Sequence, residues 1–243
     1  NADGFGVGWY ADGDPTPARY RRSGPIWADD CLPDLARVTT TRAMLCAVRS
    51  ASVGTGTEAS AAAPYADGSW LFSLNGALVG WSAAAGGPTT PPSPETAAAV
   101  LRLAGRLTAA ELLALQARSD TALLWALVLS RLRAGQTAAS ALAGTVSEVW
   151  AAGATGRFNM LLTDGHVIAA TAAGDSLCCR QRADGVVVAS EPSDDHEDWQ
   201  KVPDSSVVEA TMAGVAVRAI EPPETPRRFA PATTGQSNGR RDS

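Results

Sequence analysis

A block of helix-forming sequence separates two groups of strand-forming segments, and this order limits the folds that the chain can adopt. Residues 94–153 are rich in alanine and leucine, and their apolar residues recur with a period of about 3.6. Within the block, Ser119 can cap a helix over residues 120–132, and a further helix is predicted over about 137–152. Strand groups on both sides of such a block predict an α+β fold with two sheets and helices outside them.

Turn and loop signals divide the rest of the chain into short strands. The predicted strands include 1–10, 45–52, 69–80, 158–164, 166–173, 176–183, 185–191 and a last group in 207–220. A loop rich in Gly, Pro and Ser is predicted over 82–96. We therefore predict one domain over 1–220, and a disordered tail over 221–243, where Pro, Thr, Arg, Gly and Ser dominate.

Composition argues against several classes of function. The net charge of −5 gives no support for a nucleic-acid partner. The sequence contains no stretch of about 18 apolar residues, so a membrane-spanning helix is not predicted. His166 and His196 lie far apart, and the cysteine spacings fit no zinc site, so no metal or other cofactor is expected. No leader is visible, so a reducing cytoplasm is the expected location. No pattern indicates an oligomeric state.

The four cysteines form no familiar catalytic arrangement. Cys46 lies inside an apolar strand and is predicted to fill the core. Cys178 and Cys179 are adjacent in a predicted hairpin strand, so one thiol is expected to face inward and the other outward. A Gly-x-Ser-x-Gly turn is also missing from the sequence. A Ser–His or Cys–His triad within this chain is therefore not expected.

Three polar features could act together. Arg49 ends a buried strand, where its planar fork could hold a carboxylate or make an ion pair within the protein. Asn75-Gly76 offers two donors for an oxyanion hole, or marks a hairpin. Asp120 follows Ser119 at a predicted helix start, where a simple cap is the alternative. Together the three would grip an α-amino acid attached through its side chain, which describes glutamine or a γ-glutamyl amide.

Four motifs, NADGFGVGWY, AVRSASVG, WLFSLNGALVG and SDT, occur in the order and approximate spacing of the class II glutamine amidotransferase domain. Over residues 1–220 the chain resembles this family of N-terminal nucleophile hydrolases. Further along, GRFNMLLTDG, RADGVVVASEP and DDHEDW resemble the branch that releases glutamate from γ-glutamyl-hercynylcysteine sulfoxide in ergothioneine biosynthesis. The resemblance implies an amidohydrolase with a small-molecule γ-glutamyl substrate. It also implies a four-layer αββα sandwich, in which two antiparallel sheets lie between helix layers.

The resemblance assigns roles to particular residues. The implied site residues are Arg49 for the substrate α-carboxylate, Asp120 for its α-ammonium group, Asn75 and Gly76 for the oxyanion hole, and Asn1, Asp3 and Gly4 in the segment near the nucleophile. Leu74 stands where the family has histidine. Because neighbouring residues of a strand face opposite sides, we expect altered packing at Leu74 rather than lost chemistry.

The nucleophile is where the sequence departs most from the family pattern. Family members attack with a cysteine exposed as residue one, whose free α-amine acts as the base. That cysteine normally lies some tens of residues before the Asn-Ala-Asp-Gly segment, which here is residues 1–4. This chain is therefore expected to lack its first strand and nucleophile, and to be hydrolytically inactive. Two alternatives stay open: a glutaminase subunit that supplies ammonia to a separate synthase, and a γ-glutamyl-binding module without a nucleophile.

Overall fold

The structure is a computed structural model that describes residues 1–51, 58–81 and 94–222. Most of the predicted loop over 82–96 and nearly all of the predicted tail over 221–243 lie outside the described residues. The described strands are β1 (Gly4–Trp9), β2 (Ala18–Arg22), β3 (Met44–Arg49), β4 (Tyr65–Asp67), β5 (Trp70–Leu78), β6 (Gly156–Thr163), β7 (Ile168–Ala172), β8 (Cys178–Arg182), β9 (Gly185–Ala189), β10 (Gln200–Lys201), β11 (Ser206–Thr211) and β12 (Gly214–Ala219). The described α-helices are α1 (Leu32–Val38), α2 (Pro94–Ala104), α3 (Ala109–Leu113), α4 (Asp120–Arg133) and α5 (Ala138–Ala151).

A six-stranded antiparallel sheet forms the centre of the fold, with the strand order β12-β11-β7-β6-β5-β4. In its β5–β6 ladder, Asn75 lies opposite Asn159 and Ala77 lies opposite Arg157. Residues directly opposite each other in an antiparallel pair share one face of the sheet. The sheet therefore places side chains of β6 beside the Asn-Gly pair of β5.

The helices α2, α4 and α5 pack on one face of this sheet and bury the largest apolar core. Phe72 of β5 stacks on Trp125 of α4, with ring centroids 4.9 Å apart. Leu74 and Leu78, at alternate positions of β5, also contact this core. Because successive side chains of a strand alternate between faces, Asn75 lies on the other face, away from the helices.

A second sheet, of order β2-β1-β3, approaches the central sheet closely because β1 carries glycines at alternate positions. A Cβ atom added at Gly8 would lie 2.7 Å from a methyl carbon of Leu71, and one at Gly6 would collide with the carbonyl oxygen of Ala63. A glycine inside a strand commonly marks such a close approach. The glycine-rich opening of the sequence thus reflects contact between two layers.

Two predictions about cysteines are wrong. Cys46 is exposed, because β3 turns Leu45 toward the core and Cys46 toward the opposite side. Cys178 and Cys179 are both buried, although strand alternation points them to opposite faces. Cys179 packs in an apolar cluster of residues from the β10-β8-β9 sheet and from β7 and β11. The Cys178 thiol lies 3.3 Å from the carbonyl oxygen of Ala189.

The predicted α+β fold with antiparallel sheets is confirmed. The two helices predicted over 120–132 and 137–152 correspond to α4 and α5 within one residue at each end. The Ser119 hydroxyl caps α4 by accepting a hydrogen bond from the Ala122 N–H over 3.1 Å. In the ranges that the structure covers, no helix has the length and apolar character needed to cross a membrane.

Candidate active site

A cavity of about 520 Å³ opens where β3, β5 and the start of α4 meet. The predicted site residues that line it are Asn1, Arg49, Asn75, Gly76 and Asp120. Asp3 and Gly4 do not belong to the described lining residues. The fold therefore brings Arg49, the Asn75-Gly76 pair and Asp120 to one surface, although they are far apart in the chain, and their predicted roles stay predictions.

Arg49 is the last residue of β3, and residues 3 and 4 hold its backbone in place. Gly4 pairs with Arg49 in the β1–β3 ladder, and the Asp3 N–H donates to the Arg49 carbonyl oxygen over 3.1 Å. The Asp3 carboxylate accepts a hydrogen bond from the Ala51 N–H over 2.8 Å. Asp3 thus fixes the chain that leaves β3. Direct contact of Asp3 or Gly4 with a substrate stays a prediction.

Asp120 is the first residue of α4 and is only 6% exposed. Its Oδ2 accepts from the Leu78 N–H over 2.9 Å, and its Oδ1 accepts from the Thr121 N–H over 2.8 Å. Burial raises the pKa of the Asp120 carboxyl above its ordinary value, although these two N–H donors lower the pKa in part. An ionised carboxylate has further lone pairs, so Asp120 can also accept from a bound ammonium group.

Tyr65, which is fully buried, lies near the two charged groups of the cavity. Its hydroxyl lies 3.1 Å from the hydroxyl of Ser119, the cap of α4, and 3.3 Å from the Ala61 carbonyl oxygen. Burial raises the pKa of Tyr65, the charge of Arg49 lowers it, and the charge of Asp120 raises it. Tyr65 therefore lies close to both charges and holds the helix start that carries Asp120.

Asn75 and Gly76 lie inside the nine-residue strand β5, so the hairpin alternative does not hold. Gly76 has a φ of +153°, a conformation that disfavours side chains, and a Cβ atom there would collide with the Arg157 carbonyl oxygen. Only glycine fits between β5 and β6 at this point. Leu74 packs toward the helix core and also contributes to the cavity lining.

Six further residues form another wall of the cavity: Arg157, Leu161, Asp175, Ser176, Ser190 and Glu191. Ser190 and Glu191 begin the segment SEPSDDHEDW, for which the sequence leaves open a place in the site or an acidic loop in solvent, and the other four have no role predicted from sequence. Asn159, which is 4% exposed, organises part of this wall. Its amide Nδ2 donates to the carbonyl oxygens of Asp175 (2.9 Å) and Ser176 (3.0 Å). Its Oδ1 accepts from the N–H groups of Ala173 (2.9 Å) and Asp175 (3.2 Å). The pairing of β6 with β5 is the signal that could have found Arg157 and Asn159.

Of the four cysteines, all of which lie in the described ranges, Cys46 lines the cavity. Although Cys46 is exposed, its surroundings in the cavity partly desolvate the thiol and raise its pKa, so the group stays protonated at neutral pH and is a poor nucleophile. Neither His166 nor His196 lines the cavity. Residues 1–51, 58–81 and 94–222 contain no group of three side chains able to hold a metal ion. Among the described residues, the cavity thus has groups that can bind and stabilise charge, and it has no activated thiol, histidine or metal site.

Comparison with known proteins gives both sequence relatives and structural neighbours. The chain is 36% identical over 227 residues to the γ-glutamyl-hercynylcysteine sulfoxide hydrolase of Mycobacterium tuberculosis, covering 93% of this chain and 83% of that protein. It is 35% identical over 220 residues to the hydrolase of the same name from Mycolicibacterium smegmatis, covering 90% and 82%. No family model matches the chain.

Two solved structures share the fold. A glutamine aminotransferase class-II domain protein from Silicibacter pomeroyi superposes with a TM-score of 0.66 at 24% identity, over 90% of this chain and 92% of that one. The glutamine phosphoribosylpyrophosphate amidotransferase of B. subtilis superposes with a TM-score of 0.60 at 17% identity, over 90% of this chain and 43% of that one. These likenesses confirm the predicted fold class.

The solved structures establish the fold, and the sequence relatives establish the family. Their identity to this chain extends over about nine-tenths of it and over more than four-fifths of their own length. That span includes the strands and the helix start that line the cavity. The chain therefore belongs to the γ-glutamyl-hercynylcysteine sulfoxide hydrolase family.

Proposed function

We propose that the protein hydrolyses a γ-glutamyl amide and releases glutamate from γ-glutamyl-hercynylcysteine sulfoxide. The observation that carries this proposal is that Arg49, Asn75 and Asp120 line one cavity in a chain whose relatives bear that name. Arg49 suits the α-carboxylate of a glutamyl group, and Asp120 suits its α-ammonium group. A volume of about 520 Å³ is typical of small-molecule sites.

In the proposed reaction, a cysteine thiolate attacks the γ-carbonyl carbon, the amine leaves as a thioester forms, and water hydrolyses the thioester. The family resemblance assigns this attack to a cysteine at a chain terminus. The Asn75 amide and the Gly76 N–H would donate to the oxyanion of the tetrahedral intermediate. Loss of one such donor typically lowers the rate by about 10²–10³. The role of this chain's described residues is therefore to hold the glutamyl group and to stabilise the oxyanion.

The reaction is tested by glutamate release from the full-length gene product, with γ-glutamyl-hercynylcysteine sulfoxide and glutamine offered separately at equal concentration. The proposal predicts a higher kcat/KM for the sulfoxide substrate. A higher kcat/KM for glutamine would contradict it and would favour a subunit that supplies ammonia to a synthase. Binding of the sulfoxide substrate without any glutamate release would favour a binding module.

Asp120 makes ligand binding depend on pH. Because burial raises its pKa in the free protein, the carboxylate that holds the ammonium group is lost as the pH falls through that raised value. Calorimetric titration with γ-glutamyl-alanine should give constant affinity at neutral pH and weaker binding on acidification, starting above the range of an ordinary aspartate. Asp120→Asn should weaken binding about tenfold at neutral pH and flatten this profile. An unchanged profile in the variant would rule out this role for Asp120.

We also propose that the protein acts in the cytoplasm on a small-molecule substrate. The four cysteines, all of which lie in the described ranges, are free thiols. Cys178 and Cys179 are buried side by side without a disulfide. Free thiols are typical of proteins in reducing compartments.

A further inference from the structure

Arg49 and Asp120 match the charges of a glutamyl group, and other charged side chains line another wall of the same cavity. These are Arg157 of β6, Asp175 in the loop after β7, and Glu191 in the loop after β9. We propose that Arg157 determines substrate specificity by binding a carboxylate on the leaving amine, next to the scissile nitrogen. Arg157 then adds affinity only for substrates whose leaving amine carries a carboxylate. This inference rests on the proposed function.

Arg157 lies directly beside the proposed oxyanion hole. It is opposite Ala77, the residue after Gly76, in the β5–β6 ladder, and a Cβ atom added at Gly76 would lie 3.2 Å from the Cβ of Arg157. In a γ-glutamyl amide of an amino acid, the leaving carboxylate is attached to the carbon next to the scissile nitrogen. A γ-carbonyl oxygen held by Asn75 and Gly76 therefore brings that carboxylate toward the guanidinium on the neighbouring strand.

The guanidinium of Arg157 has donors to offer a ligand. Its described ion pair joins Nε to Oδ2 of Asp175 over 3.5 Å, and the two side chains are 58% and 36% exposed. Exposed ion pairs of this kind are weak and compete poorly with a second carboxylate. The terminal nitrogens of the fork can bind such a carboxylate in a bidentate manner. The Asn159 amide holds the backbone of Asp175, so the Asp175 carboxylate is kept beside Arg157 at the cavity wall.

A glutamine molecule gives this wall no carboxylate to bind. Its leaving group is ammonia, so Arg157 and the loop held by Asn159 add nothing to its binding. An amino-acid leaving group, in contrast, carries a carboxylate that can make a charge-assisted hydrogen bond with Arg157. This wall is therefore expected to raise the affinity for γ-glutamyl amino acids over the affinity for glutamine, because only the former have a carboxylate on the leaving amine.

Two ligands that differ only by this carboxylate test the inference without requiring turnover. We expect calorimetry of the intact chain to show that γ-glutamyl-alanine binds about tenfold more tightly than γ-glutamyl-ethylamide. Arg157→Gln should bring the two affinities within about twofold of each other, mainly by weakening the binding of γ-glutamyl-alanine. The matched control is Arg133→Gln, which breaks an exposed ion pair to Asp67 outside the cavity and should keep the tenfold preference.

The outcomes distinguish this inference from the proposed function. Equal affinities of the wild-type protein for the two ligands, or a preference that survives Arg157→Gln, would overturn the role of Arg157 while leaving the glutamyl site intact. Failure of the wild-type protein to bind either ligand would overturn the proposed function, and the inference with it. A loss of preference in the Arg133→Gln control as well would also overturn the assignment to Arg157.

Discussion

Arg49→Ala should weaken the binding of γ-glutamyl ligands by about 100-fold or more. The substitution removes the guanidinium that we propose to hold the substrate α-carboxylate, and charge-assisted bidentate contacts are among the strongest hydrogen bonds in proteins. Arg49 lines the cavity at the end of β3, where the ladder with Gly4 fixes its backbone. Isothermal titration calorimetry with γ-glutamyl-alanine measures the loss.

Two further variants make the Arg49 result specific. Arg49→Lys keeps the charge but loses the planar fork, so it should bind with an affinity between those of the wild type and Arg49→Ala. Arg22→Ala removes an arginine of the same sheet that does not line the cavity and should bind normally. Thermal unfolding shows that each variant is folded. Wild-type affinity in a folded Arg49→Ala protein would remove Arg49 from the site.

Gly76→Ala should lower the free energy of unfolding by about 2–4 kcal/mol, because two costs add. The φ of +153° is unfavourable for alanine, and the new methyl group would meet the Arg157 carbonyl oxygen. Gly24→Ala is a matched control, since Gly24 has a φ of +155° and has no other atom within 4 Å of an added Cβ. That control should cost only about 1 kcal/mol.

Urea unfolding of both glycine variants separates the backbone cost from the collision. The difference between them reports how closely β6 packs against the Asn-Gly pair. Equal losses in Gly76→Ala and Gly24→Ala would show that β6 moves away at little cost. In that event the proposed oxyanion hole would not be rigid, and the close placement of Arg157 beside it would also be in doubt.

Local signals explain which parts of the site could be predicted from sequence. The start of α4 is set by Ser119, whose hydroxyl caps the helix, so the position of Asp120 follows from a short motif. The Asn75-Gly76 pair was ambiguous, because the same dipeptide marks hairpins. The continuous strand β5 resolves this ambiguity, because its length depends on pairing with β6.

Other features depend on tertiary contacts that a sequence pattern does not contain. Cys46 looked like a core residue because its neighbours are apolar, but β3 has one side turned from the core. Arg157 and Asn159 were not predicted, since their importance comes from the register of β6 against β5. An alternating strand shows that one set of side chains shares a face, but it does not show what that face meets.

The most direct test of the proposed binding mode is a crystal structure of the protein with γ-glutamyl-alanine bound in the cavity. We expect the ligand α-carboxylate at Arg49, its α-ammonium group at Asp120, and its γ-carbonyl oxygen facing Asn75 and Gly76. The alanine carboxylate should then lie at Arg157. A ligand bound in the reverse direction, with its α-amino acid group at Arg157 and its alanine at Arg49, would contradict the assignment of Arg49 and Asp120 to the glutamyl group.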